Sequence, residues 1–189
     1  MNTPAHLIFG TAAFGRPGQK AVTIGAILGS LAPDISLYLM VVWSVFVAGI
    51  SPNVVFGQYY YSDAWQQVFA VDNSFVLWGL GLGIAIWAAR PAYIAFAGAG
   101  LLHLIFDFPV HNHDARMHFW PLSDWVFVSP ISYWDVRFHA SIVSPIEITA
   151  ALLLVAVLLF RYRRYYARFL ILLVAVVEVL ATGAFGLMF

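Results

Sequence analysis

The chain has 189 residues, no cysteine and nine acids against nine bases, with 62% hydrophobic and only 10% charged residues. An ordinary soluble domain is roughly 45–50% apolar and about 25% charged. A mean hydropathy of +0.86 is more than a soluble core of this size can hide, so the composition describes an integral membrane protein. The lack of a basic excess excludes a nucleic-acid binder. The lack of cysteine excludes a disulfide scaffold and a thiolate metal site.

Residues 5–15 form an apolar stretch of roughly 11 residues, short for a full crossing, so a partial or tilted segment is expected. The turn sequence GRPGQK at 15–20 closes it. The opening MNTPAHLIFGTAAFG has no positive n-region, so no cleavable signal peptide is expected. Residues 21–50 are nearly all apolar, broken by Pro33-Asp34, and residues 51–72 are polar and aromatic without Lys or Arg, which reads as a loop. Segments 74–89 and 91–108 follow, parted by Arg90-Pro91. The longest polar loop spans 109–141, and segments 142–160 and 166–188 flank the block RYRRYYAR at 161–168. The expectation is an all-α polytopic membrane bundle of five or six segments. It forms one transmembrane domain over 1–189 with a His/Asp-rich loop at 109–141.

Basic residues favour the cytoplasmic side. Arg16 and Lys20, Arg90, and Arg161, Arg163, Arg164 and Arg168 lie in three short connections. Threading all three inside places 51–72 and 109–141 outside, in the inner membrane of a bacterium. No strand precedes the GLGLG run at 79–83, so its glycines, with Gly98 and Gly100, are expected at close helix contacts rather than around a phosphate.

Four of the six histidines fall within residues 101–124, with Asp107, Asp114 and Asp124. His103 and Asp107 stand at i and i+4 and share one helical face, where both can reach a Zn²⁺-like ion. An ionisable pair inside an apolar span is costly and usually partnered or functional. Pro109 should end that helix. His111, His113, Asp114 and His118 then sit on a loop able to fold back over it. A wet loop also carries His and Asp without any ligand, and for His111 and His113 both readings stand.

Depth arithmetic recruits further residues. At about 1.5 Å per residue from the basic connections, His103, Asp34 and Glu147 come to roughly 20 Å, His6 to about 15 Å, and Asn73 and Asp107 to about 26 Å. These groups converge on the outer half of a core roughly 30 Å thick. Pro33-Asp34 reads either as a bend beside a cavity or as a kink with Asp34 capping the next helix.

His6, the LAPDIS stretch, and HLIFDFP followed by FWPLSDW resemble the YdjM-like family of predicted membrane-bound, metal-dependent hydrolases over most of residues 1–125. The resemblance implies His6, Asp34, His103 and Asp107 as metal-site residues. Where many relatives have Thr-His-Ser this chain has Asp72-Asn73-Ser74. Asn is a poor replacement for a Zn-binding imidazole, and His111, His113, Asp114 or His118 could supply the missing ligand.

The leading expectation is a hydrolase using a divalent metal, Zn²⁺ ahead of Mn²⁺ or Mg²⁺, on a phosphoester, lipid or lipid-linked substrate near the outer leaflet. Asp114, Asp34 or a neighbouring His takes a proton, and Arg116 clamps a phosphate. Trp120, Trp125, Trp134 and Tyr133 fit an interfacial belt. Two alternatives stand beside it: a non-enzymatic protein that binds or passes a metal ion or protons, and an assembly subunit whose His-rich loop binds a partner.

Overall fold

The computed structural model describes residues 1–188, with side chains through Thr182. Among the described residues seven helices of ten residues or more run in chain order: α1 (Thr3–Phe14), α2 (Lys20–Val42), α3 (Asp63–Asp72), α4 (Phe75–Trp87), α5 (Pro91–Asp107), α6 (Ala140–Arg161) and α7 (Tyr165–Met188). Among the described residues there is no strand. Five stretches are long and apolar enough to cross a membrane: Lys20–Val47, Asp63–Trp87, Pro91–Val110, Ala140–Arg161 and Tyr165–Thr182. The chain is therefore an all-α bundle with five membrane-capable spans and a shorter first helix.

Two local expectations are corrected. Residues 51–72, read as a loop, are largely helical, because Ser62 caps α3 by accepting the Trp65 N–H at 3.4 Å and Phe69 and Ala70 bury one face of the helix. Helix α3 then continues the α4 span, with Ser74 capping α4 through the Leu77 N–H at 3.0 Å. At Pro33 α2 does not break: the helix runs through it, so Asp34 lies mid-helix and caps nothing.

Helix α1 is a wedge at the middle of the bundle, packed on α2, α5, α6 and α7. Its Ile8 joins Ala151, Val155, Leu158 and Ala175 in the largest apolar cluster. Small residues set the closest approaches. A side chain on Gly25 or Gly29 would strike the Ala92 or Phe96 carbonyl of α5, and one on Gly10 would strike Ser30. Gly98 and Gly100 make room for the Phe14 and Trp78 rings, as expected of them. The expectation for Gly79, Gly81 and Gly83 is wrong: nothing lies within 4 Å of where their side chains would be. That run sits on an outward face beside the exposed Leu80 and Ile84.

Two basic connections meet at one end of the bundle. Arg161 donates to the Ala12 and Gly15 carbonyls, both at 2.5 Å, and the Tyr162 and Thr23 hydroxyls lie 3.1 Å apart. At the other end the 109–141 loop folds back over α5. There Ser129 N–H donates to the His111 carbonyl at 3.0 Å and Tyr133 N–H to the Val110 carbonyl at 3.2 Å.

Candidate metal centre

The close α1–α2–α5 packing brings His6, Asp34, His103 and Asp107 together from three helices. Helical spacing alone puts His103 Nε2 3.1 Å from Asp107 Oδ2. The approach of α2 that Gly25 and Gly29 permit brings Asp34 Oδ1 to 3.6 Å from the same nitrogen. From α1, His6 Nε2 lies 2.8 Å from Asp107 Oδ1, and its ring stacks on His103 with centroids 3.4 Å apart and planes 6° from parallel. His6, His103 and Asp107 each offer a ligand atom within 4.8 Å of the others, and all three are buried.

The orientation of His103 is fixed from behind. Its Nδ1 lies 2.8 Å from the Ser30 carbonyl, which can only accept, so Nδ1 carries a hydrogen and Nε2 faces forward, where it can hold a second proton or a metal ion. That Nε2 has no hydrogen-bond partner although two carboxylates stand before it. Asp34 is oriented by Thr3, whose hydroxyl donates to Oδ2 at 2.5 Å. The Tyr38 hydroxyl, 2.6 Å from Thr3 Oγ1, therefore donates to Thr3. On this side the cluster approaches the surface: the Asp34 side chain is 21% exposed and Tyr38 is exposed.

The folded-back loop adds one ligand candidate directly. His111 Nε2 is 3.4 Å from Asp107 Oδ2 and its Nδ1 is 2.8 Å from Asp114 Oδ2. Burial alone would lower His111, but Asp114 and Asp107 outweigh it and raise the imidazole above its usual range. Burial would raise Asp114, yet His111, Arg116 and the Trp134 hydrogen bond hold it at about 2. Arg116 is buried, donates to the Tyr60 hydroxyl at 2.6 Å and lies 3.9 Å over the Phe69 ring. Its Nη1 has no hydrogen-bond partner, and Arg116 makes no ion pair among the described residues.

Two expected ligands are not brought to the cluster. His113 is half exposed, 4.0 Å from Asp135 and edge-on to Phe138, because the turn after His111 points it outward. His118 bonds its own loop at the Arg116 carbonyl, 3.0 Å away, and packs between Phe75 and Phe108. Burial, outweighing the acceptor carbonyl, takes His118 down to about 4, so the ring is neutral near pH 7. Asn73 gives its amide hydrogens to the Phe69 and Pro33 carbonyls at 3.0 and 3.5 Å. It closes α3 against α2 and takes no part in the cluster.

Several participants carried no clear sequence signal. Thr3 could have been found, one turn before His6 on the same face, but Ser30 acts through its carbonyl and Tyr60 reaches Arg116 only by tertiary folding. The Met1 amine lies 2.5 Å from Asp107 Oδ1, and Asn2 N–H donates to Glu147 Oε1 at 2.7 Å. A cavity of about 420 Å³ lies elsewhere, lined by Ala32, Asp72, Trp78 and Phe96, and none of the cluster residues borders it. The chain matches no family model, no curated protein and no solved structure.

Proposed function

We propose that this chain is a membrane-embedded, metal-dependent hydrolase acting on a phosphoester of a lipid or lipid-linked substrate. The loop 109–141 would lie on the outer face of a bacterial inner membrane. The observation that carries the reading is His103 Nε2, its ring held from behind by the Ser30 carbonyl and its free side aimed between two carboxylates. A nitrogen facing two carboxylates draws positive charge between them, and a proton or a metal ion supplies it. Imidazole nitrogens with carboxylate oxygens fit Zn²⁺ best, ahead of Mn²⁺ or Mg²⁺. When bound, such an ion supplies Lewis-acid activation of water and of a phosphoryl oxygen.

The chain's own residues do the rest. Arg116 holds the substrate anion: Tyr60 and the Phe69 ring fix its guanidinium and leave Nη1 to point at a phosphate oxygen. Asp114 orients His111 through Nδ1, and the partly exposed Asp34 would accept the proton from water. The partly exposed Asp34–Thr3–Tyr38 edge is the way in from the lipid side, which favours a membrane-borne substrate. The motif resemblance to the YdjM-like family supports the same class.

Metal analysis of detergent-purified protein with a phosphodiester assay tests the reading. Wild-type protein should carry divalent metal and lose activity to chelator, and His103→Ala should lose both metal and activity. Activity without metal would overturn it. For the orientation, the chain has no cysteine of its own. A cysteine at the exposed Leu122 should label from outside intact cells, and one at Gln19 should not; the reverse pattern inverts the topology.

A second reading, passage of a metal ion or protons, draws on Glu147 and Glu178, both buried with an unpartnered Oε2 and joined through Asn2. Metal bound at His103 and Asp107 without hydrolysis of any phosphoester or lipid would favour it.

A further inference from the structure

We infer that the groove between α2, α4 and α5 binds a hydrophobic monovalent cation, an alkyl- or arylammonium that enters from the bilayer. The site lies apart from the metal centre and does not rest on the metal or hydrolase reading. Its cavity of about 420 Å³ falls within the roughly 300–1,000 Å³ of small-molecule pockets. Ala32 of α2, Trp78 and Gly81 of α4, and Tyr93 and Phe96 of α5 line it, with Asp72 at the end of α3.

Sequence spacing builds the walls. Trp78 and Gly81 stand at i and i+3 on α4, and Tyr93 and Phe96 do so on α5, so each pair shares one helical face. Gly81 has nothing within 4 Å of where a side chain would be, which leaves the groove open, and Gly100 seats the Trp78 ring against α5. The Trp78 indole N–H donates to the Asp72 carbonyl at 2.6 Å, which ties the ring to the residue that carries the charge. The Trp78 and Phe96 rings pack with centroids 5.2 Å apart.

Against this aromatic lining stands one acid. Asp72 lies in the membrane-capable stretch Asp63–Trp87, where an ionisable side chain is costly and marks a functional site with a partner. Its Oδ2 is buried without a hydrogen-bond partner, and Asp72 makes no ion pair among the described residues. Arg116, whose field reaches Asp72, is held to Tyr60 and Phe69 instead. Ser36 Oγ, the hydroxyl beside it, is buried and also without a hydrogen bond, and a hydroxyl would leave the charge uncompensated.

This donor set selects the ligand. A divalent metal ion would find one acid and no imidazole in the lining, too few donors to hold it. A hydrocarbon chain would fill the groove and leave the acid unanswered. An ammonium on an apolar body answers both: its charge faces Asp72, while Trp78, Tyr93 and Phe96 attract the cation and shelter the body.

Equilibrium dialysis of the detergent-solubilised full chain with radiolabelled tetraphenylphosphonium, blanked with protein-free micelles, tests this. Wild type should bind one cation per chain saturably. Phenethyltrimethylammonium should displace it about tenfold or more better than the uncharged carbon isostere 3,3-dimethylbutylbenzene. Asp72→Asn should lose most of that preference and keep the metal content of wild type. Tyr93→Leu, at an exposed position, should weaken binding about two- to fivefold and serves should the Asp72 variant fail gel filtration as a monodisperse species. No saturable binding, equal displacement by cation and isostere, or an undiminished preference in folded Asp72→Asn overturns the inference. Each of these leaves the hydrolase reading standing.

Discussion

His103 and His118 are two buried imidazoles with the same local arrangement and opposite surroundings. Each is 2% exposed, each has Nδ1 against a backbone carbonyl, and each leaves Nε2 without a hydrogen bond. The His103 nitrogen faces Asp34 and Asp107, whereas the His118 ring lies among Phe75 and Phe108. A nitrogen among aromatic rings is merely dry; a nitrogen between carboxylates calls for positive charge, a proton or a metal ion. Burial and tautomer do not make a ligand, and the charge in front of the free nitrogen does.

The largest effect should come from making the first site resemble the second. Asp107→Asn removes the charge that His6, His103 and His111 share, leaving buried partners uncompensated. It should abolish tight metal binding and cost about 3–5 kcal/mol of stability, read as a fall in the thermal midpoint in detergent. The second site answers to pH instead. Because His118 is held at about 4 when folded, below its ordinary value near 6.5, the folded loop binds fewer protons than the unfolded one. Its stabilisation is full above about pH 6.5 and is lost as pH falls toward 4, on the order of 3 kcal/mol. Loss of hydrogen-exchange protection over 109–141 in that window, absent from His118→Phe, checks it.

Gly29→Ala sharpens the same contrast from a distance. Its new side chain would strike the Phe96 carbonyl, push α2 from α5 and separate Asp34 from His103. Metal affinity should fall about tenfold with about 1–3 kcal/mol of stability, while Gly81→Ala, with open space around it inside a helix, should leave metal affinity unchanged and add about 0.5–1 kcal/mol of stability. His118→Phe should keep full metal content and lose about 1 kcal/mol for the bond to the Arg116 carbonyl. Smallest of all, His113→Ala should leave metal and activity intact and stability within about 0.5 kcal/mol.

The bundle was legible because apolar length and proline or basic punctuation need no tertiary information. The 51–72 stretch was misread because its polar and aromatic residues hide a capped helix whose buried face shows only against α2. The i,i+4 pair His103 and Asp107 was legible from spacing, and depth arithmetic put His6 and Asp34 at a similar level. What the sequence could not give was direction. His111 and His113 are two residues apart on an irregular loop, where no period says which one turns inward. GLGLG and Gly98/Gly100 look alike in composition, and only the neighbouring helix decides which glycines are crowded. The carbonyl of Ser30 has no side-chain signal, although it sets the tautomer on which the metal reading depends.

Zinc-edge X-ray absorption on the Zn²⁺-loaded, detergent-solubilised chain tests the central claim most directly, because it sees the atoms around the ion. A nitrogen and oxygen shell near 2.0–2.1 Å with imidazole outer-shell scattering that diminishes in His103→Ala, but is unchanged in His118→Phe, is the predicted result. An all-oxygen shell without imidazole, or a spectrum indifferent to His103, would contradict it.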